Sequence, residues 1–178
     1  MTLLDDVLPI LRSTPDVVLA LLARQPAAEI GFRPDGQWNS AEILAHLIHG
    51  ERTDWIPRVR HLLAHADREP FPPFDRDGWG DLVARPLPEL LETFAVERRG
   101  SLAAFASLGL TETDLARVGL HPRLGRVTLA NLLATWGVHD LTHIDQLTRL
   151  QAQRLGEPTG PWNHPDFLGI LHRRKPRG

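Results

Sequence analysis

Signals that start and stop α-helices recur along this chain, whereas the alternating pattern of a half-buried β-strand is almost absent. The chain has no tyrosine and no run of alternating β-branched residues, which are the residues that strands favour. Its apolar-periodic segments are separated by stretches rich in proline, glycine and aspartate. Helices joined by loops bury their apolar faces against one another, so the sequence predicts an all-α fold, a four-helix bundle with long ordered loops.

The first two helices are predicted from their capping residues and prolines. In "STPDVVLALLARQ", Thr14 is a suitable N-cap and Pro15 suits the first helical position. The apolar segment 3–11 comes just before, and a single kinked helix that includes both segments is the open alternative. Ser40 is predicted to cap a second helix that runs to about residue 66, with a bend at Pro57.

The second half of the chain contains two further helices and two long loops. A third helix is predicted over residues 88–108, and Thr128 is predicted to cap a last long helix that ends at Gly156. Loops of residues 67–88 and 109–127 connect these helices. The first loop is rich in proline and aromatic residues and is predicted to be ordered, and a loop of this length is often functional.

Composition predicts a globular protein and excludes several functions. With 42% hydrophobic and 24% charged residues, the chain is predicted to form a single domain over residues 1–178. It has no cysteine, which excludes thiolate metal sites and a cysteine nucleophile. The net charge is −2 and the basic run is confined to the tail "HRRKPRG", so nucleic acid is not a predicted partner. No membrane association is predicted and the expected location is cytoplasmic, because the chain lacks an evident signal peptide and any apolar run of ~20 residues.

Two histidines stand four residues apart in "WGVHDLTHIDQL", within the predicted last helix. Side chains at this spacing share one helix face, so the imidazoles of His139 and His143 can converge on one metal ion. On a helical wheel, His143 and Asp140 fall within the apolar stripe and His139 lies at its edge. The pair is therefore predicted to face the bundle interior. A purely structural pair of hydrogen-bonded histidines is the alternative.

A metal site built from this pair needs a third protein ligand. The candidates are His46 and His49 in "SAEILAHLIHGERTDW", and neither lies centrally on the apolar face of its helix. The residues themselves leave these two histidines nearly tied. The other histidines lie near predicted loops, helix ends or the tail and are predicted to be surface residues.

The order and spacing of these motifs resemble the DinB-like (YfiT-like) family of metal-dependent enzymes. The resemblance rests on "QWNSAEILAHL", "FPPFDRDGW" and "RVGLHPRLGRVTLANLLATWGVHDLTHIDQL", and it covers residues 13–150. It implies an up-down-down-up four-helix bundle that forms a homodimer. It also implies one divalent metal ion held by His46, His139 and His143, and so favours His46 over His49.

Further residues are candidates for supporting or substrate-binding roles. Asp140 and Gln146 are predicted to orient the metal ligands, although Asp140 could instead be a buried carboxylate bonded to an arginine or to the backbone. Glu42 lies one turn before His46 and is predicted to be a solvated helix residue. Arg123 and Arg126 in "HPRLGR" could receive a substrate carboxylate at the mouth of the bundle, but a solvated turn is the favoured interpretation.

The predicted function is that of a metal-dependent enzyme acting on a small molecule. Three neutral imidazoles would leave a divalent ion able to activate water or a small thiol, which predicts a hydrolase or a thiol S-transferase. The resemblance implies a low-molecular-weight thiol such as bacillithiol as co-substrate. Zinc or nickel is the first expectation, with manganese, iron or cobalt also compatible. The alternative is a non-catalytic metal-binding or stress-response bundle that acts as a dimerisation module.

Overall fold

The structure, a computed structural model, describes residues 2–172, so most of the basic tail lies outside the described residues. Within this range the chain forms α-helices, short 3₁₀ helices and one β-hairpin. The α-helices are α1 (Leu3–Leu22), α2 (Ala27–Ile30), α3 (Ser40–Thr53), α4 (Trp55–His65), α5 (Leu87–Ser107), α6 (Leu129–Leu155) and α7 (Gly169–His172). The 3₁₀ helices are Gly80–Ala84, Glu112–Ala116 and Glu157–Trp162. The strands are β1 (Val118–His121) and β2 (Gly125–Thr128), which pair antiparallel.

Four long helical segments form the bundle, namely α1, α3 with α4, α5 and α6. The first and last of them run in the same direction. Near their starts, Val7 of α1 lies against Gly137 of α6, and near their ends the Gln151 amide donates to the Leu21 carbonyl at 2.9 Å. These two parallel helices make one half of the bundle.

The other half runs in the opposite direction. The amides of Gln37, just before α3, and Gln153, near the end of α6, lie 3.5 Å apart, whereas Glu51 late in α3 bonds Trp136 early in α6. The α5 helix runs in the same direction as α3 and α4, since its first turns pack with the start of α3 and its end packs with α4. The directions are therefore up, down, down and up, as predicted, and the long segment between α4 and α5 crosses the bundle.

The core has two layers that follow from this arrangement. The first layer joins the ends of α1 and α6 to the starts of α3 and α5, and its buried residues include Val18, Leu22, Ile43, Leu44, Leu90, Phe94 and Leu147. The second layer joins the starts of α1 and α6 to α4 and the end of α5, and its buried residues include Leu11, Trp55, Val59, Phe105, Leu132 and Trp136. Within residues 2–172, no helix combines the length and apolar character that crossing a bilayer requires.

The start of α1 differs from the Thr14 cap that the sequence predicts. One helix extends over Leu3–Leu22 and contains both prolines, and Thr2 is its N-cap. Thr14 is buried inside the helix, where its hydroxyl donates to the Ile10 carbonyl at 2.9 Å. The prediction of Thr14 as a cap was therefore wrong. The open alternative of a single helix that includes both segments is correct, and the Leu11 carbonyl that Pro15 leaves without a backbone donor accepts from the Arg98 guanidinium at 2.9 Å.

The second helical segment begins and breaks close to the predicted points. Asn39, not Ser40, is the N-cap, and its side-chain oxygen accepts from the Glu42 amide at 3.0 Å. The break between α3 and α4 falls at Asp54, three residues before the predicted bend at Pro57. Pro57 has no backbone N–H that could bond the Thr53 carbonyl, so the helical hydrogen bonding is interrupted just before Pro57.

The β-hairpin was not predicted, because its strands have four residues each and lack a clear alternating pattern. It lies in the second predicted loop and leads into α6 through Thr128, which caps that helix as predicted. The segment between α4 and α5 pairs with the hairpin, since the Phe71 amide donates to the Leu120 carbonyl at 2.8 Å. The hairpin thus holds this segment against one side of the bundle.

Gly119 in the hairpin provides a test of this packing. A Cβ atom there would lie 2.9 Å from Cζ of Phe71 and 3.1 Å from Cγ of Leu62, so Gly119→Ala should lower the free energy of unfolding by about 1–3 kcal/mol. Gly100→Ala is the matched control. Gly100 is in α5 with open space around it, and alanine there should raise stability by up to ~1 kcal/mol. Urea unfolding of both variants measures the difference, and a neutral Gly119→Ala would contradict the packing of Phe71 on the hairpin.

Candidate metal centre

Three histidine side chains converge where α3 crosses α6. The Nε2 atom of His139 lies 3.1 Å from Nε2 of His46 and 3.1 Å from Nε2 of His143. One nitrogen from each ring lies within 4.8 Å of the others, and among residues 2–172 this is the one group of at least three such side chains able to hold a metal ion. His46 and His143 are buried and His139 is partly buried. The sequence-predicted trio is therefore together in space.

The local sequence explains this convergence. His139 and His143 are one turn apart on α6, so their side chains project from the same face. Buried leucines flank that face and turn it toward α3, which runs antiparallel to α6. His46 is at the middle of α3, between Leu44 and Leu47 of the core. The histidines are thus positioned by ordinary helix packing.

Gln146 orients one of the three imidazoles. Its Oε1 lies 2.8 Å from Nδ1 of His143, and an amide oxygen can only accept a hydrogen bond. The proton of neutral His143 is then on Nδ1, which leaves a lone pair on Nε2 directed at the other two rings. This is the tautomer that a metal ligand of this geometry requires, and the role of Gln146 toward a metal ligand stays a prediction.

Burial keeps the three imidazoles neutral. Loss of solvation lowers the pKa of His46 to about 3, helped by the positive charge that His143 would carry. The same causes lower the pKa of His139 to about 2, and burial also lowers the pKa of His143. At neutral pH all three rings can offer a lone pair, because only the neutral form of histidine binds metal.

His49 is not part of this group. Its Nε2 lies 2.9 Å from the backbone oxygen of Asp75, and its ring packs against Phe74 and Gly78. His49 therefore holds the segment between α4 and α5 in place. The orientation of α3 about its own axis turns His46 toward α6 and His49 toward this segment. The helical wheel alone left the two histidines nearly tied as metal ligands.

Asp140 does not bond a histidine. Its carboxylate receives two hydrogen bonds from the Arg98 guanidinium, at 2.5 and 2.9 Å, and both side chains are almost fully buried. Arg98 also donates to Glu51 at 2.8 Å and to the Leu11 carbonyl at 2.9 Å. Of the two roles that the sequence left open for Asp140, the structure shows the carboxylate bonded to an arginine. Its partner comes from α5, which a wheel of α6 cannot reveal.

The other residues singled out from the sequence are accounted for outside the centre. Glu42 closes the α3 cap and pairs with Arg33, and its side chain is only 15% exposed, so the prediction of a solvated helix residue was wrong. Arg126 pairs with Asp67, and Arg123 is exposed in the hairpin turn. Neither Arg123 nor Arg126 lines the cavity next to the histidines, as the favoured interpretation expects, although His121 and Leu124 of the same hairpin do.

A cavity of about 470 Å³ opens beside the three histidines. Its walls are largely aromatic and aliphatic, and include Trp38, Trp55, Phe71, Phe74, Leu124 and Leu132. Phe71 and Phe74 come from the segment between α4 and α5, which the sequence identified as a long loop of functional interest. Two arginines that the sequence analysis missed, Arg58 and Arg76, also line it. This volume is within the usual range of small-molecule sites, ~300–1,000 Å³.

The buried arginine gives a stability prediction. Arg98→Met would leave the carboxylates of Glu51 and Asp140 buried without their cation, and should lower the free energy of unfolding by about 3–5 kcal/mol. Arg52→Met is the matched control, because Arg52 makes a partly exposed pair with Glu97 of α5 and should cost less than ~1 kcal/mol. Urea unfolding decides, and equal losses in the two variants would contradict the role of Arg98.

The lowered histidine pKa values give a pH prediction for metal-free protein. Each of these histidines has a lower pKa in the folded state than in the unfolded state. As the pH falls below ~6.5 the unfolded state therefore takes up protons first, and the free energy of unfolding decreases until the pH reaches the folded-state pKa. Between pH 6.5 and 5, each of His46 and His139 should cost up to ~2 kcal/mol of unfolding free energy. Chemical unfolding across this range should give a smaller slope for His46→Gln than for the parent. Equal slopes would mean that His46 is not buried in its neutral form.

Comparison with known proteins agrees with this description. The family model of the DinB superfamily matches residues 10–147. Among solved structures, the chain resembles YfiT from Bacillus subtilis, described as a probable metal-dependent hydrolase with an unusual four-helix bundle topology. The TM-score is 0.72 at 20% sequence identity, over 85% of this chain and 87% of that chain. No curated protein matches the chain in sequence. With a family match over most of its length and the same bundle fold, this chain belongs to the DinB superfamily.

Proposed function

We propose that this protein is a divalent-metal-dependent enzyme whose ion is held by Nε2 of His46, His139 and His143. The observation that carries the proposal is the convergence of three buried imidazole nitrogens at one edge of an open cavity. Lone pairs that point at one another repel unless a proton or a cation lies between them. The donor set suits zinc or nickel first, and manganese, iron or cobalt after them.

The protein residues would prepare this site in three ways. Gln146 holds the Nδ1 proton of His143, so that its Nε2 faces the centre. The aromatic and aliphatic walls give the cavity a largely apolar lining beside the three histidines. The three neutral ligands add no negative charge, and a bound ion would therefore supply strong Lewis acidity to water or to a small thiol.

Two reactions fit this arrangement. Hydrolysis of a small substrate is supported by the similarity to YfiT, which is described as a probable metal-dependent hydrolase. Transfer of a low-molecular-weight thiol such as bacillithiol to an electrophile is supported by the family resemblance of the motifs. We infer a small-molecule substrate in both cases, because the cavity has a volume of about 470 Å³ and a largely apolar lining.

The remaining features of the proposal concern organisation. We propose one domain over residues 1–178 that forms a homodimer in the cytoplasm and does not bind nucleic acid. The net charge of −2 supports the last point, since phosphate binding needs a concentrated positive surface. A non-catalytic metal-binding or stress-response dimerisation module is the competing function, and the cavity beside the histidines favours the enzyme.

Metal content is the first test. Protein purified without a histidine tag should contain about one equivalent of divalent metal. The His143→Ala variant should lose this metal, because the two remaining imidazoles bind an ion far more weakly than three do. His49→Ala is the matched control, since His49 is on the same helix as His46 but bonds Asp75 instead. Elemental analysis and a circular dichroism spectrum of each variant complete the measurement. A parent that stays empty with added zinc, nickel and manganese would show that the histidines bond only one another.

The reaction type is tested with metal-loaded protein and two substrate panels. Ester and amide hydrolysis without added thiol would identify a hydrolase, and thiol conjugation to halogenated or epoxide acceptors would identify a transferase. In either case His46→Ala should lower the rate by at least ~100-fold. Rates equal to those of His46→Ala in both panels, despite a full metal site, would support the non-catalytic alternative.

A further inference from the structure

Among the charged residues that line the cavity, Arg76 differs from its neighbours. Arg58 is neutralised by Asp54, whose carboxylate lies 2.6 Å from the Arg58 Nε. Within residues 2–172, no carboxylate lies within 4.0 Å of the Arg76 guanidinium, although Asp75 and Asp77 flank it in sequence. Arg76 therefore gives the cavity a positive charge that no protein group nearby cancels through an ion pair.

The backbone around Arg76 is held in a defined position. The Asp75 carbonyl lies 2.9 Å from Nε2 of His49, and the Asp75 carboxylate accepts a hydrogen bond from the Asp77 amide at 3.1 Å. Gly78 packs so closely on the His49 ring that a Cβ atom there would lie 2.9 Å from it. The carboxylate of Asp75 is thus directed at its own loop, and the loop is fixed to α3 on both sides of Arg76.

Arg76 lines the same cavity as the candidate metal ligands. His46 and His143, which are buried on two different helices, also belong to its lining. Arg76 is itself exposed while it lines the cavity, so it lies at the open edge of the cavity. A ligand that enters past this edge meets the guanidinium before it reaches the histidines.

The rest of the cavity determines which ligand this charge would suit. The walls near Arg76 are aromatic, including Trp38 and Phe74, and the volume of about 470 Å³ admits only a compact molecule. An arginine at the edge of such a cavity can bind a carboxylate through paired, charge-assisted hydrogen bonds. We propose that Arg76 is a specificity-determining residue that binds the carboxylate of a small substrate with an apolar or aromatic body. Its role toward a substrate rests on the proposed function, whereas anion binding at Arg76 does not.

Matched ligands test this inference in metal-free protein. The probes are 3-phenylpropionate and its neutral counterpart 3-phenylpropanamide, which differ in charge but little in shape. Binding is measured by isothermal titration and by fluorescence of the cavity tryptophans. The carboxylate should bind about tenfold more tightly than the amide, the ratio that one charge-assisted hydrogen-bond pair of about 1.4 kcal/mol gives. A preference that is absent in the parent would overturn the proposal.

Substitutions then assign the preference to one side chain. Arg76→Gln should reduce the ratio to about one while leaving amide affinity unchanged, and Arg76→Lys should restore part of it. Arg123→Gln is the control, because Arg123 is an exposed arginine that does not line the cavity. A carboxylate preference that survives Arg76→Gln, or that Arg123→Gln removes equally, would also overturn the proposal.

The same titrations with metal-loaded protein separate this inference from the proposed function. Direct binding of the carboxylate to the ion would add a preference that persists in Arg76→Gln and disappears in His143→Ala. If the protein holds no metal and the Arg76-dependent preference remains, the enzyme proposal fails and the anion site stands. If metal is bound and Arg76→Gln changes nothing, the metal centre stands and the role of Arg76 fails.

Discussion

All four helical segments of the bundle meet at the guanidinium of Arg98. It extends from α5 and bonds the Leu11 carbonyl of α1, Glu51 of α3 and Asp140 of α6. The Leu11 carbonyl is the one left without a helical donor by Pro15, four residues later, so Arg98 also completes the hydrogen bonding of a helix that contains a proline. Burial raises the pKa of Glu51 against the opposing effect of the Arg98 charge. Such a group stabilises one arrangement of helices, because any other arrangement buries these charges without partners.

This ionic group lies next to the histidines in sequence and in space. Asp140 directly follows His139, and Glu51 is five residues after His46 on α3. Fixing the two carboxylates on Arg98 therefore fixes the rotation of α3 and α6 about their own axes. That rotation in turn decides which side chains face the centre, and it explains why the nitrogens of His46 and His139 approach to 3.1 Å. The ion pair and the histidine cluster use different residues but depend on the same helix geometry.

Much of the fold could be predicted from local chemistry, and the parts that could not depend on distant contacts. Thr128 marks the start of α6 and Gly156 its end, because capping residues act within a few positions of themselves. The histidines of α6 were predicted to share a face from their spacing alone. The separation of His46 from His49 could not be predicted in this way, since it depends on the rotation of α3 against another helix. Arg76 gave no local signal, and its place at the cavity follows from the path of a loop held by His49.

The histidines lie on the bundle helices, whereas part of the cavity wall lies on the segment between α4 and α5, and this difference affects how related proteins can diverge. The histidines and Arg98 belong to long helices whose packing tolerates little change. Phe71, Phe74 and Arg76 belong to a connecting segment that is held by His49 and the hairpin and that packs Trp79 and Leu82 against the core. Insertions and substitutions accumulate most easily in connections of this kind. Descendants of one ancestor could thus change the shape and charge of the cavity by exchanging this segment, while they inherit the same histidine cluster.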